Sequence, residues 1–217
     1  MTEQDKGGGN DQWLDRVYHS SDRDALAKTY DEWAADYDAH LQGFGYRNTA
    51  LTVGLVCRHV AADAGEVLDA ACGTGLIGED LHTLGYDGLV GIDLSEGMIE
   101  TSRARGVYTE LSRMMLGERL GFADGRFAAT IAIGVLTIGH APPSSLDELL
   151  RVTKRGGLLI FSLPQPAYEE GGFKEKMAEL DAAGAWQHVE STRPYRVLPG
   201  AANEGEMLSH IHVYRVG

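Results

Sequence analysis

Cysteine is nearly absent from this sequence: Cys57 and Cys72 are the only two among 217 residues. Two thiols are too few for a disulfide framework or a cysteine-built metal site, and a bridge at Cys72 would block the glycine loop in which it stands. They imply a reducing cytoplasm. Cations are scarce too, with 19 Lys and Arg against 32 Asp and Glu and a formal net charge of −13. Phosphate backbones need a basic face, so nucleic acid is not expected as the main partner. The densest basic group, Arg151, Lys154 and Arg155, reads as the last turn of a helix, where cations oppose the dipole. Thr2 to Asn10 hold no apolar run, so no signal peptide, membrane anchor or membrane partner is expected. Residues 1–20 are expected to be a flexible segment. Residues 21–217 are expected to form a single α/β domain, since 43% hydrophobic and 24% charged residues suit one core.

What is present centres on the run Val67 to Gly78: a short apolar stretch, the acid Asp69, then Gly73, Gly75 and Gly78 opening a helical pattern. A strand turning into a helix in this way brings main chain and helix-opening amides up to a ligand. The same glycine spacing meets the dinucleotide fingerprint. Asp69 discriminates between the ligands, because a carboxylate there repels a pyrophosphate and attracts the ammonium of an amino acid. S-adenosylmethionine (SAM), with an amino acid at one end and an adenosine at the other, satisfies both features; its product is S-adenosylhomocysteine (SAH). A second apolar run, Gly88 to Ile92, ends in Asp93, 18 residues after Gly75. At the end of a neighbouring strand this carboxylate can accept both hydroxyls of a ribose, while Ser95 caps the helix Glu96 to Arg105.

Leu26, Tyr30, Trp33, Ala34, Tyr37 and Leu41 form one helical stripe from a cap at Ser21 or Asp22. Its aromatics can close over a planar or cationic ligand, with Gly43 and Gly45 as a hinge; plain packing of a first helix on a sheet is the alternative. A second helix spans Asn48 to Ala62. The helix from Gly78 to Leu84, stopped by Gly85, and the strand Gly88 to Ile92 complete a βαβ unit. Val107 to Leu111 is a short third strand, and Phe127 to Leu136 a central one, apolar throughout. A capping box at Ser144 or Ser145 starts a helix through Thr153, and Gly156-Gly157 turn the chain into a strand from Leu158 to Leu163. Pro164 to Gly172 reads as a loop in the substrate opening, followed by a helix from Phe173 to Ala183. Trp186 to Thr192 and Met207 to Val216 alternate as strands with only a loop between them, hence antiparallel. The central run leads to His140 at the carboxyl edge, where ligands bind in open α/β sheets, which makes it the best-placed general base; an exposed loop histidine is the alternative. His210 and His212 share a strand face, expected to be solvated, and no third ligand stands near enough in sequence for a metal site.

The motif Leu68-Asp69-x-x-Cys72-Gly73-Thr74-Gly75, followed by Gly91-Ile92-Asp93-Leu94-Ser95, resembles the class I SAM-dependent methyltransferases. Tyr30 to Asp38 and Arg151 to Gly157 resemble, within them, the group typified by the Williams–Beuren syndrome region methyltransferase-like protein. The resemblance implies that the segment carrying Trp33 and Tyr37 lies over the cofactor. Relatives place acids at about Met115 and at Ala128; without the first, adenine is left to the apolar walls Met115 and Leu116. The fold class expected is α/β, a Rossmann-like seven-stranded, mostly parallel sheet with helices on both faces and an antiparallel last strand. The expected cofactor-binding set is Trp33, Tyr37, Asp69, Ala71, Cys72, Gly73, Thr74, Gly75, Asp93, Leu94, Met98, Met115, Leu116 and Gly134, with His140 catalytic and no metal. The implied activity is transfer of the sulfonium methyl to an oxygen, nitrogen or sulfur of a small molecule, by a monomer or homodimer. Two alternatives stay open: a SAM- or SAH-binding protein without transfer activity, favoured by the missing acids, and a NAD-type oxidoreductase, disfavoured by Asp69 and the terminal strand pair.

Overall fold

The computed structural model describes residues 11–18, 22–202 and 204–217. Helices α1 (Asp11–Tyr18), α2 (Arg23–Trp33), α3 (Tyr37–Gly43) and α4 (Asn48–His59) precede β1 (Val67–Ala70). Then follow α5 (Leu76–Thr83), β2 (Leu89–Asp93), α6 (Glu96–Arg105), β3 (Glu110–Arg113), β4 (Phe127–Ala132) and α7 (Ser145–Val152). The chain ends with β5 (Thr153–Pro164), α8 (Gln165–Glu170), α9 (Phe173–Ala182), β6 (Trp186–Ser191), β7 (Tyr195–Arg196) and β8 (Leu208–Val216). The strands lie in the order β3-β2-β1-β4-β5-β8-β6. From β3 to β5 all pairings are parallel, and β8 runs antiparallel between β5 and β6. To these seven strands the short β7 adds a two-residue pairing on β8.

Residues of β1 and β4 are buried at every position, because helices cover both faces and remove any reason to alternate. One core layer gathers Leu68, Ile92, Phe127, Leu149 and Phe161; the other gathers Val56, Val67, Leu81, Ile131 and Ile160. Truncating a fully buried ring such as Phe161 to alanine would cost about 3–5 kcal/mol. A third cluster, built from Leu14, Val17, Leu26, Trp33, Leu41, Val197 and Leu198, joins the N-terminal helices to the segment after β7.

Residues 11–18, within the segment expected to be flexible, are helical because Leu14 and Val17 are buried and Trp13 stacks on Trp33 with ring centroids 5.9 Å apart. The remainder of that segment lies outside the described residues. Asp22 caps α2, accepting from the Ala25 amide at 2.8 Å. The expected single aromatic helix is broken at residues 34–36: the Asp36 amide bonds the Trp33 carbonyl at 3.0 Å, and the Trp33 indole donates to His40 Nδ1 at 2.7 Å. At α7 the capping box does not form: the N-cap Ser144 makes no side-chain cap bond, Asp147 three residues on pairs with Lys176 at 2.7 Å, and Glu148 is taken by the Leu120 amide at 2.9 Å. Gly156, with φ 75°, lies inside β5, next to an irregularity in its pairing with β4, so the glycine pair bends a strand instead of preceding it. The stretch expected as a loop at the substrate opening contains α8: prolines are tolerated in a first helical turn, Ala167 is buried, and none of these residues lines the cavity described next.

Candidate active site

The carboxyl ends of β1, β2 and β4 border a cavity walled on its other side by α1, α2 and α3. Of the residues expected at the cofactor, Trp33, Tyr37, Ala71, Gly73, Asp93, Leu94, Met98, Met115, Leu116 and Gly134 line it, and so does His140. Asp69, Cys72, Thr74 and Gly75 do not.

Asp93 joins two turns. Its Oδ2 accepts from the Gly73 amide at 2.9 Å and its Oδ1 from the Ser95 amide at 2.9 Å. A carboxylate offers about four lone-pair sites, so these two amides leave it capacity to accept from a ligand hydroxyl. Burial pushes this carboxyl above the usual range. Ser95 caps α6, accepting from the Met98 amide at 3.1 Å, and leaves Asp93 free of that duty. A Cβ built on Gly73 would meet nothing within 4 Å, so the cavity reaches its main chain. Ala71, at φ 73°, is the one non-glycine residue with positive φ among the described residues, a strain of the kind found at ligand sites. The donor set therefore fits a ribose at Asp93 and a flat apolar base against Met98, Met115 and Leu116.

Asp69, expected to meet the ligand's ammonium, lies behind the loop. It is 1% exposed and accepts from the Tyr108 hydroxyl at 2.7 Å, and burial pushes its carboxyl up to about 7. Tyr108 also explains two of the three glycines. A Cβ on Gly78 would overlap the Tyr108 hydroxyl, and one on Gly75 would come within 3.2 Å of the ring and 2.7 Å of Ser102 Oγ. That spacing makes room for a tyrosine, not a pyrophosphate, and the dinucleotide reading loses its fingerprint. The loop amides are engaged within the protein as well. Those of Ala71 and Cys72 donate to the Ile92 carbonyl at 2.8 and 2.9 Å, that of Gly73 to Asp93, and that of Gly75 to the Cys72 carbonyl at 2.9 Å. Thr74 donates instead to Asp38 Oδ1 at 2.5 Å, and Arg105 pairs with the same carboxylate, which fastens α3 to the glycine loop. The Cys72 thiol is buried and pushed well above its ordinary value, so it stays protonated.

On the opposite wall the Tyr30 hydroxyl lies 3.1 Å from His140 Nε2, and burial lowers the His140 pKa. Trp33 is almost fully buried and meets Tyr37 edge to face at 4.7 Å. His210 and His212 are not on a solvated face: their rings stack at 5.7 Å, and His212 packs 5.3 Å from Phe161, which pushes it down to about 4. Among the described residues no group of three His, Cys, Asp or Glu side chains is placed to hold a metal. Tyr46 and Asn48 line the cavity as well, and sequence reading does not single them out. The one local signal is their place directly after the Gly45 break, at the start of α4.

A family model described as a methyltransferase domain matches residues 68–161. Human Methyltransferase-like protein 27 is 35% identical over 165 residues, which are 73% of this chain and 66% of that protein. The demethylmenaquinone methyltransferase of Renibacterium salmoninarum is 31% identical over 204 residues, 88% of this chain and 78% of its own length. A solved Thermotoga maritima structure, titled a SAM-dependent methyltransferase and possible histamine N-methyltransferase, shares the fold at TM-score 0.62 and 17% identity, over 87% of this chain and 98% of its own. No helix among the described residues is long and apolar enough to cross a membrane. Relatives matched over most of their length and a sheet closed by an antiparallel strand lead to one conclusion: the chain belongs to the class I SAM-dependent methyltransferases.

Proposed function

We propose that this methyltransferase acts on an oxygen, nitrogen or sulfur of a small molecule that shares the cavity with SAM, and that His140 accepts the proton released. The cavity itself carries this reading. Leu14, Val17, Leu26, Leu41 and Leu198 give it apolar walls, facing the polar groups of Gly73 and Asp93 across the space, the mix of surfaces that small-ligand sites present. Helices α1 to α3 packed over this space suit a small molecule beside a nucleoside. SAM, when bound, supplies an electrophilic sulfonium methyl. The chain's own share is to align two reactants and exclude water. Asp93 serves the ribose, and Met115 and Leu116 the adenine. His140, kept neutral at pH 7 because burial lowers its pKa, can take the acceptor's proton beside the Tyr30 hydroxyl. The relative named for demethylmenaquinone supports an acceptor of the small-molecule class. The free thiols Cys57 and Cys72 support a cytoplasmic location.

Incubation with methyl-labelled SAM and a panel of small phenols, amines and thiols should yield a labelled small molecule. His140→Ala should slow that transfer by about 10²–10⁴. Label found in added protein or nucleic acid, with none in the panel, would overturn the acceptor class. An unchanged rate in the mutant would remove His140 as the base.

A further inference from the structure

Tyr195, Asn48 and Tyr46 form a hydrogen-bonded chain that the proposed methyl transfer does not use. The Tyr195 hydroxyl, on β7, donates to Asn48 Oδ1 at 2.6 Å, and Asn48 Nδ2 donates to the Tyr46 hydroxyl at 3.2 Å. Asn48 is 2% exposed, so its amide has little freedom to turn away. Because the Tyr46 oxygen accepts from Asn48, its own proton points elsewhere, and no described residue takes it. Burial keeps that proton in place by pushing the phenol up to about 12. The hydroxyl stands beside the end of β4: a Cβ built on Gly134 would lie 3.4 Å from it and 3.9 Å from Asn48 Nδ2.

SAM ends in a carboxylate, and the glycine loop has little to offer it, since the amides of Ala71, Cys72, Gly73 and Gly75 are already engaged. Arg23 is the one Lys or Arg lining the cavity among the described residues. It is exposed at the rim, 4.0 Å from Glu118. A deeper cation would be drawn to the buried carboxylates Asp69 and Asp93, whereas a phenol can serve an anion without pairing to them. We propose that Tyr46, oriented by Asn48 and Tyr195, is the neutral donor that holds the methionine carboxylate of SAM. The proposal rests on SAM occupying this cavity with its amino-acid end toward Gly73 and Gly134.

Calorimetric titration with SAH and with 5′-methylthioadenosine, which keeps the nucleoside and lacks the amino acid, separates this role from a general one. Tyr46→Phe should weaken SAH by about tenfold or more, as for a hydrogen bond to a charged group, and leave 5′-methylthioadenosine unchanged. Tyr195→Phe, outside the cavity wall, should weaken SAH alone and by less, and it serves as the test should Tyr46→Phe not fold. Equal losses for both ligands, or no loss for either, would overturn the assignment. Wild-type protein that bound neither ligand would overturn the SAM reading beneath it, and the proposal with it.

Discussion

The Tyr108 hydroxyl donates to Asp69 Oδ2 at 2.7 Å, behind the glycine loop and away from the cavity. The acid that the loop motif places next to the ligand is thus held by a tyrosine. Its consequence is electrostatic. Burial sets the Asp69 carboxyl at about 7, against an ordinary 3.8, so between those values the folded protein binds more protons than the unfolded chain. The stability this group contributes is complete below the lower value and is lost as pH rises through the upper one. Asp93, also raised by burial, acts with the same sign. Chemical denaturation from pH 3.8 to 7 should show a shallower decline for Asp69→Asn, which still accepts from Tyr108, than for the wild type. Each tenfold difference in proton affinity between the folded and unfolded states is worth about 1.4 kcal/mol. Parallel curves would mean that Asp69 ionises as an ordinary carboxylate.

Gly73 and Gly78 should fail differently. Valine at Gly78 would force Tyr108 off Asp69, an overpacking that costs about 1–3 kcal/mol and should lower the melting temperature. Valine at Gly73 meets no neighbour but must adopt φ 55° and project into the cavity. It should fold, with a strain of about 1–3 kcal/mol, and gain no thermal stability from SAH. Stabilisation of Gly73→Val by SAH equal to that of the wild type would show that the ligand does not approach this main chain.

Much of this was legible locally. Asp93 at a strand end, Ser95 as a cap and the parallel pairing of the first βαβ unit follow from apolar runs, caps and spacing, because those signals lie within a few residues of each other. What was not legible depends on distant partners. Tyr195 reaches Asn48 from 147 positions away through a two-residue strand, and Tyr108 meets Asp69 across 39. The break at 34–36 is set by an indole reaching His40, against a stripe whose periodicity runs on unbroken. Pro164 and Pro166 suggest a loop, and burial of Ala167 outweighs that preference.

The aromatic wall is fastened at both ends. Asp31 accepts from Ser95 Oγ at 2.5 Å and from the Gly97 amide at 2.9 Å, tying α2 to α6, and Asp38 ties α3 to Thr74 and Arg105. Hydrogen exchange across residues 22–43 should slow when SAH is added, because the ligand would bridge this wall to the sheet edge. Asp38→Ala should speed exchange in α3 without SAH. Identical exchange in the presence and absence of SAH would leave Tyr30, Trp33 and Tyr37 as static packing.

The central claim is that the cavity binds SAM through Asp93, and calorimetric titration of SAH into wild type and Asp93→Ala tests it most directly. A carboxylate that accepts two ribose hydroxyls contributes charge-assisted hydrogen bonds of about 1.5–3 kcal/mol. The expected result is SAH binding by the wild type, affinity lowered by about tenfold or more in a folded Asp93→Ala, and no binding of NAD by either. Unchanged SAH affinity in the folded mutant would contradict it.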